Sequence, residues 1–273
     1  MSTQDIQPVT ILIPHYQTLD SIRLCLRSIR KYTQQPVTVR VLDNGSTDES
    51  LAYLQSLSWI ELVHTGCANH IWKAHYRALN QAVLDVTTPT FLLLHSDTYV
   101  HHPDWLGYLF RQMQGGMAAV GPRHQRIPVR TPLWGVSAAV QSLRSRELKS
   151  GLPTLRSFCA LYDTELFRKL DCGFVTHEGE DITLVANEKL VENGYPIKGL
   201  SAFHLSKVLF HASAITLIEQ GVEPVKRQNM AEACQTGESY VDRRTYRRTR
   251  RMLDRFVALP ATQAILSDSS LDA

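Results

Sequence analysis

The chain has 273 residues, 44% hydrophobic and 20% charged, a balance that supports a sizeable core and excludes disordered and fibrous classes. Its 29 Lys and Arg exceed its 26 Asp and Glu by only three, too small an excess to indicate nucleic-acid binding. Five cysteines without a Cys-x-x-Cys spacing argue against a disulfide framework and a structural zinc site, and no stretch reaches the ~20 apolar residues of a membrane span.

Over the first hundred residues, short runs of Val, Ile and Leu alternate with segments of helical period. Val9 to Pro14 reads as a buried strand, and Ile22, Cys25, Leu26 and Ile29 recur at helical spacing behind a cap at Thr18 or Asp20. Val37 to Leu42 is a second strand ending in the turn Asp43-Asn44-Gly45-Ser46-Thr47-Asp48, followed by a helix from Glu49 to Leu57. A strand at Trp59 to Val63, a helix at Ala74 to Leu84 and a strand at Phe91 to Leu94 continue the alternation. Trp105 to Met113 reads as a helix and Ala118 to Gly121 as a strand, before an irregular Pro-, Arg- and Trp-rich stretch to about Gly151 that suits a substrate-side loop.

Phe158 to Tyr162, Glu165 to Leu170, Asp181 to Glu192 and Pro196 to Leu200 then read as strand, helix, helix and strand. The seven arginines between Arg243 and Arg255 form a basic helix against one acid, Asp254, with Tyr246, Leu253, Phe256 and Val257 on an apolar side. Such a helix either packs one stripe on the body or lies on an anionic membrane surface. Ser267 to Ala273 reads as a disordered end. With a polar Met1 to Pro8 and no sign of oxidised cysteines, the expected location is the cytoplasm, or its membrane face.

Strands alternating with helices predict an α/β fold with a Rossmann-like, mostly parallel sheet whose ligands bind at the carboxyl ends of the strands. The turn Pro14 to Asp20 lacks the G-x-G-x-x-G of dinucleotide-binding folds, and no G-x-x-x-x-G-K-[ST] occurs, which disfavours nicotinamide and flavin enzymes, P-loop NTPases and nucleotidyltransferases. Polar residues gather instead at strand ends, Asp43-Asn44 and His95-Ser96-Asp97. A carboxylate beside a histidine there suits a divalent cation and, through it, a diphosphate.

Ile-Leu-Ile-Pro-His-Tyr near Thr10, Leu-Arg-Ser-Ile, and Val-Leu-Asp-Asn-Gly-Ser-Thr-Asp-Glu-Ser resemble the opening of family 2 glycosyltransferases of the GT-A fold. The resemblance runs in order through His75 to Asn80, Phe91 to Asp97, Gly173-Phe174, Glu180-Asp181 and His204, covering roughly residues 8 to 210. It implies an inverting transfer of a sugar from a nucleoside-diphosphate sugar to a hydroxyl, on a glycan or lipid-linked glycan of the kind used in polysaccharide biosynthesis. The implied nucleotide-sugar site holds Pro14, His15, Tyr16, Asp43, Asn44, His75, Arg77, Asn80, His95, Ser96 and Asp97. A divalent cation, manganese or magnesium, would be held by Asp97 and His204, and by His95, which stands where the family's Asp-x-Asp has its first acid. Asp181 is the implied general base with Glu180 beside it, and Trp134 offers a flat face to an acceptor sugar. The expected division is a nucleotide-sugar half over 1–100, an acceptor and catalytic-base half over 101–241, and a basic helical tail over 242–273. The competing expectation is a catalytically degenerate nucleotide-sugar or partner-binding module, motivated by the histidine at 95.

Overall fold

A computed structural model describes residues 7–65, 71–128, 154–175, 181–225 and 241–273, with side chains omitted over 71–75. The order begins β1 (Val9–His15), α1 (Leu19–Tyr32), β2 (Val37–Asp43), α2 (Glu49–Ser56), β3 (Glu61–His64), α3 (Ile71–Leu84), β4 (Thr90–Leu94), β5 (Thr98–Val100) and α4 (Trp105–Gln112). It continues with β6 (Ala119–Pro122), β7 (Cys159–Asp163), α5 (Thr164–Lys169), α6 (Leu184–Glu192), β8 (Ile197–Leu200), α7 (Ala202–Leu205), β9 (Leu209–His211) and α8 (Ile215–Glu219). Last come β10 (Pro224–Val225), β11 (Val241–Asp242), α9 (Arg243–Val257), α10 (Pro260–Ser267) and a 3-10 turn (Ser269–Asp272). No helix among the described residues is long and apolar enough to cross a membrane.

Seven strands form one sheet in the order β3-β2-β1-β4-β7-β6-β8. β1, β2, β3 and β4 pair in parallel, as do β6 and β8, while β7 runs antiparallel to both its neighbours. The sheet is covered on both faces because side chains alternate along each strand. Ile11, Ile13, Val39, Val41, Leu92 and Leu94 point into one apolar layer with α1 residues Ile22, Cys25 and Ile29. Leu12, Leu42, Phe91 and Leu93 point into the other, with Leu79 and Val83 of α3 and the rings of Tyr162, Phe167 and Phe174. Phe91 stacks on Tyr162 at 5.3 Å and meets Phe167 edge-on, arrangements that aromatic quadrupoles favour.

The parallel register sets the ends of the strands side by side. His15 of β1 pairs with Asp43 of β2, and Asp43 with His64 of β3, so three polar residues line one edge of the sheet. A second, two-stranded sheet, β5 with β9 in antiparallel register, stands beyond β4 and pairs Thr98 with His211.

Three sequence expectations shift. The helix expected from Asp181 begins at Leu184, because Asp181 and its neighbours form a turn in which Leu184 N–H donates to Asp181 O. Thr18 stands at the cap position of α1, but its side chain makes no capping bond, and Asp20 lies within the first turn. Glu219 at the end of α8 caps the helix instead, its carboxylate accepting the backbone N–H groups of Asp20 (2.6 Å) and Ser21 (3.1 Å). Ser267 to Ala273 is not a disordered end but folds back onto α1. There Asp272 accepts two bonds from the Arg27 guanidinium, at 2.8 and 2.5 Å, and one from the Tyr53 hydroxyl at 2.9 Å.

The basic helix α9 starts at Asp242, whose carboxylate accepts from the N–H groups of Arg244 and Thr245. Thr249 and Phe256 are its buried residues, and its seven arginines are all exposed. Phe256 stacks on Phe210 at 4.3 Å and on Tyr99 at 5.6 Å. The Thr249 hydroxyl donates to the carbonyl of Ser213 at 2.8 Å. The apolar side of the helix is therefore spent on the body and the arginines face outward.

Candidate functional site

The chain leaves β4 through His95, whose N–H donates to Phe158 O at 3.1 Å and whose carbonyl accepts from Thr98 N–H at 3.0 Å. This tight turn buries Ser96 and Asp97. The pairing of β5 with β9 then brings His211 to Asp97, and the ligand atoms of His95, Asp97 and His211 lie within 4.8 Å of one another.

His211 has its tautomer set by its surroundings. Its Nδ1 lies 2.9 Å from the carbonyl oxygen of Gln125, which only accepts, so Nδ1 carries the hydrogen. The neutral ring therefore presents a lone pair at Nε2, and Nε2 lies 3.3 Å from Asp97 Oδ1. Oδ1 is buried with no hydrogen-bond partner among the described residues. Two acceptors facing each other in a buried place repel unless positive charge lies between them, supplied by a second proton on His211 or by a cation. An orphaned carboxylate oxygen between two imidazoles fits a divalent cation. Burial works to raise the Asp97 carboxyl, but the His211 and His95 rings, when protonated, outweigh it and hold the group below its ordinary value. Burial pushes the His95 imidazole down against the opposing pull of Asp97, which favours the neutral ring that ligates.

His204 is not part of this group. It is exposed on α7, where Ser201 caps the helix by accepting from His204 N–H and lies 2.9 Å from the His204 Nδ1. His211, seven residues later, is the histidine grouped with His95 and Asp97.

The edge formed by β1 and β2 carries the other strand-end residues. His15 is buried, with Nε2 2.8 Å from Ser50 Oγ, and burial lowers its pKa to about 4. Among the described residues neither its Nδ1 nor Asn44 Nδ2 has a hydrogen-bond partner. Asp43 closes the turn by accepting from Ser46 N–H and lies 3.5 Å from His64 Nδ1. Asn44 N–H donates to His15 O at 3.0 Å, while its Oδ1 accepts from the Thr65 hydroxyl at 2.8 Å. Pro14 is buried near the end of β1, and Tyr16 is half-buried, its carbonyl accepting from Gln220 Nε2.

Asp181 is fastened to the same region. Its carboxylate accepts from Ser157 N–H at 3.1 Å and from the Thr183 hydroxyl at 2.9 Å, with Arg156 at 3.9 Å. Ser157 precedes Phe158, whose ring stacks on His211 at 3.9 Å with an interplanar angle of 8°, and whose carbonyl holds both His95 N–H and the Thr98 hydroxyl. Residues 157 and 158 thus join Asp181 to the histidine–aspartate group.

Two further residues of the expected set lie on α3. Asn80 grips the backbone of Phe174 in both directions, donating from Nδ2 to its carbonyl at 2.9 Å and accepting its N–H at 2.8 Å, so its amide fixes the Gly173-Phe174 segment on α3. Arg77 is exposed on α3. The side chain of His75, with Glu180 and Trp134, lies outside the described residues. Sequence reasoning missed His211, Phe158, Thr183 and Gln125. His211 carried a signal, since Leu209-Phe210-His211 is a short apolar run ending in a histidine.

Solved structures share this architecture at low sequence identity. The mannosyltransferase PcManGT from Pyrobaculum calidifontis, in complex with GDP-Man and Mn2+, is similar with a TM-score of 0.53 and 18% identity over 96% of this chain and 74% of that one. S. aureus TarS is similar with a TM-score of 0.51 and 18% identity over 71% of this chain. The chain spans only 35% of the length of that TarS chain. A shorter form, TarS 1–349 in complex with UDP-GlcNAc, gives a TM-score of 0.50 at 19% identity over 71% of this chain and 56% of that one. These likenesses show the GT-A fold. No curated protein sequence matches the chain. The sequence description of glycosyl transferase family 2, however, matches residues 10–171, and across more than half of its length the chain thereby belongs to that family.

Proposed function

We propose that the protein is an inverting glycosyltransferase that moves a sugar from a nucleoside-diphosphate sugar to a hydroxyl acceptor, a glycan or lipid-linked glycan. The observation that carries the reading is the unpartnered Asp97 Oδ1 facing His211 Nε2 at 3.3 Å, next to His95, at the strand ends. Similar structures hold GDP-Man with Mn2+ and UDP-GlcNAc, which supports a donor of that chemical class.

His15, Asp43, Asn44 and Tyr16 would bind the nucleoside, the reading being supported by Nδ1 of His15 and Nδ2 of Asn44, which lack a partner among the described residues. Asp97, His95 and His211 would hold a divalent cation, in place of the set that includes His204. When bound, that cation supplies positive charge to the diphosphate as its bond to the sugar breaks. Asp181 takes the proton from the acceptor hydroxyl as its oxygen bonds to the anomeric carbon, and the nucleoside diphosphate departs with the electrons of the broken C–O bond. No covalent intermediate on the protein is needed for inversion. Residues 1–100 would serve the donor, 101–241 the acceptor with Trp134 as a stacking face, and 242–273 the tail.

Calorimetric titration of UDP, GDP, dTDP and CMP, each with and without manganese, tests the donor half. Binding of one nucleoside diphosphate that requires the metal and weakens about 100-fold or more in Asp97→Ala is expected. Failure of all four to bind under either condition overturns the reading.

The outward arginines of α9 would bring the enzyme to an anionic membrane surface where a lipid-linked acceptor lies, each contributing about 1 kcal/mol near the surface. Co-sedimentation with phosphatidylglycerol-containing vesicles at low salt, lost at high salt and reduced in Arg247→Gln/Arg248→Gln/Arg251→Gln, is the expected result. Equal sedimentation of variant and wild type removes α9 from that role.

A further inference from the structure

The three side chains around Asp97 are two imidazoles and one carboxylate, and that composition bears on which cation they accept. Resting on the cation-site reading above, we propose that the protein takes a later first-row transition ion, such as Co2+ or Zn2+, in preference to Mg2+, and that His95 sets the preference.

Mg2+ favours oxygen ligands in near-ideal octahedral geometry and parts with its waters reluctantly. Imidazole nitrogen suits the later metals, whose affinity rises from Mn2+ through Co2+ in the usual order. An acid at position 95 would make two carboxylates and one imidazole, a set much friendlier to Mg2+ and Mn2+.

Both rings are built to ligate. The Gln125 carbonyl, 2.9 Å from Nδ1, turns the His211 Nε2 lone pair toward Asp97, and Phe158 stacked at 3.9 Å keeps the ring from swinging away. His95 is anchored through its own backbone, N–H to Phe158 O and carbonyl to Thr98 N–H, so its ring starts from a fixed point 6.2 Å, centroid to centroid, from that of His211. Two neutral imidazoles and one carboxylate leave a net charge of +1 when a divalent ion is bound. A nucleoside diphosphate would therefore tighten the ion, and the ion would tighten the nucleotide by the same factor.

The test uses the metal-free full chain and needs no turnover. Mg2+, Mn2+, Co2+ and Zn2+ are titrated by calorimetry, alone and with UDP or GDP, and Co2+ is also followed by its visible absorption. Wild type should bind Co2+ and Zn2+ roughly 100-fold tighter than Mg2+. His95→Asp should narrow that ratio to about tenfold or less, weakening Co2+ and strengthening Mg2+. His95→Asn should weaken Co2+ without strengthening Mg2+, and Asp97→Asn and His211→Ala should each abolish the Co2+ spectrum. Circular dichroism melts identify any variant that has lost its fold. Mg2+ binding within about tenfold of Co2+ in wild type, lost in Asp97→Asn, would leave the cation site standing and overturn the preference. A preference unchanged in both His95 variants removes His95 as its cause. Co2+ binding that survives all four substitutions places the ion on other histidines, and wild type that binds no cation, with or without nucleotide, ends the cation-site reading and this inference together.

Discussion

Asp181→Asn is expected to lower kcat by about 10²–10⁴-fold, the usual worth of a positioned general base, while the affinity for the nucleoside diphosphate stays within about twofold. Asparagine matches aspartate in size, and its remaining oxygen still accepts from Ser157 N–H, so the link from position 181 to Phe158 and His211 survives. What is lost is the capacity to take a proton. Steady-state kinetics, run beside nucleotide calorimetry, separate the outcomes. A kcat within tenfold of wild type makes Asp181 a pin for residue 157 and moves the base elsewhere. Tight nucleotide binding by wild type that never turns over any donor would favour a binding module instead.

Arg27→Met should cost about 3 kcal/mol, seen as a lower urea midpoint and as faster proteolysis after residue 259. The Arg27 side chain is 8% exposed and donates to both Asp272 oxygens and to Leu266 O at 2.6 Å. Methionine fills similar space but leaves the carboxylate with Tyr53 alone and the Leu266 carbonyl without that donor. Removing one partner of a buried pair costs about 3–5 kcal/mol; Asp272, 24% exposed, keeps some contact with water, which sets the expectation at the lower end. The Arg27 hydrogen bonds hold the Asp272 carboxyl below the usual carboxylate range against the opposing effect of burial. The pair's contribution is thus fully present above the unfolded value and is lost as pH falls through the depressed folded one. Asp272→Asn should flatten that acid limb of stability. A loss below about 1 kcal/mol for Arg27→Met would show that the apolar contacts of α10 hold the segment without the pair.

The parallel half of the fold was readable because β1 and β4 are buried on both faces, so Val9 to Pro14 and Phe91 to Leu94 appear as continuous apolar runs. The strand-end positions of His15, Asp43 and Asp97 followed from the same runs. The placing of His211 beside Asp97 did not, since His204 and His211 are equally plain in the sequence. Only the antiparallel pairing of Thr98 with His211 chooses between them, and three-residue strands such as β5 and β9 leave no periodicity. The docked end was equally hidden. Ser267 to Ala273 is polar and short, and its order comes from Arg27 and Tyr53, residues that local pattern cannot connect to it.

Glu219 and Asp272 close onto the first helix from 199 and 245 positions downstream. On the ribosome α1 is made before either partner, so the nascent helix leaves the exit tunnel with an unfinished amino end and an unpaired Arg27. Its completion waits until residues 219 and 272 have followed it out. Maturation of the helix is therefore timed by the synthesis of distant sequence rather than by its own.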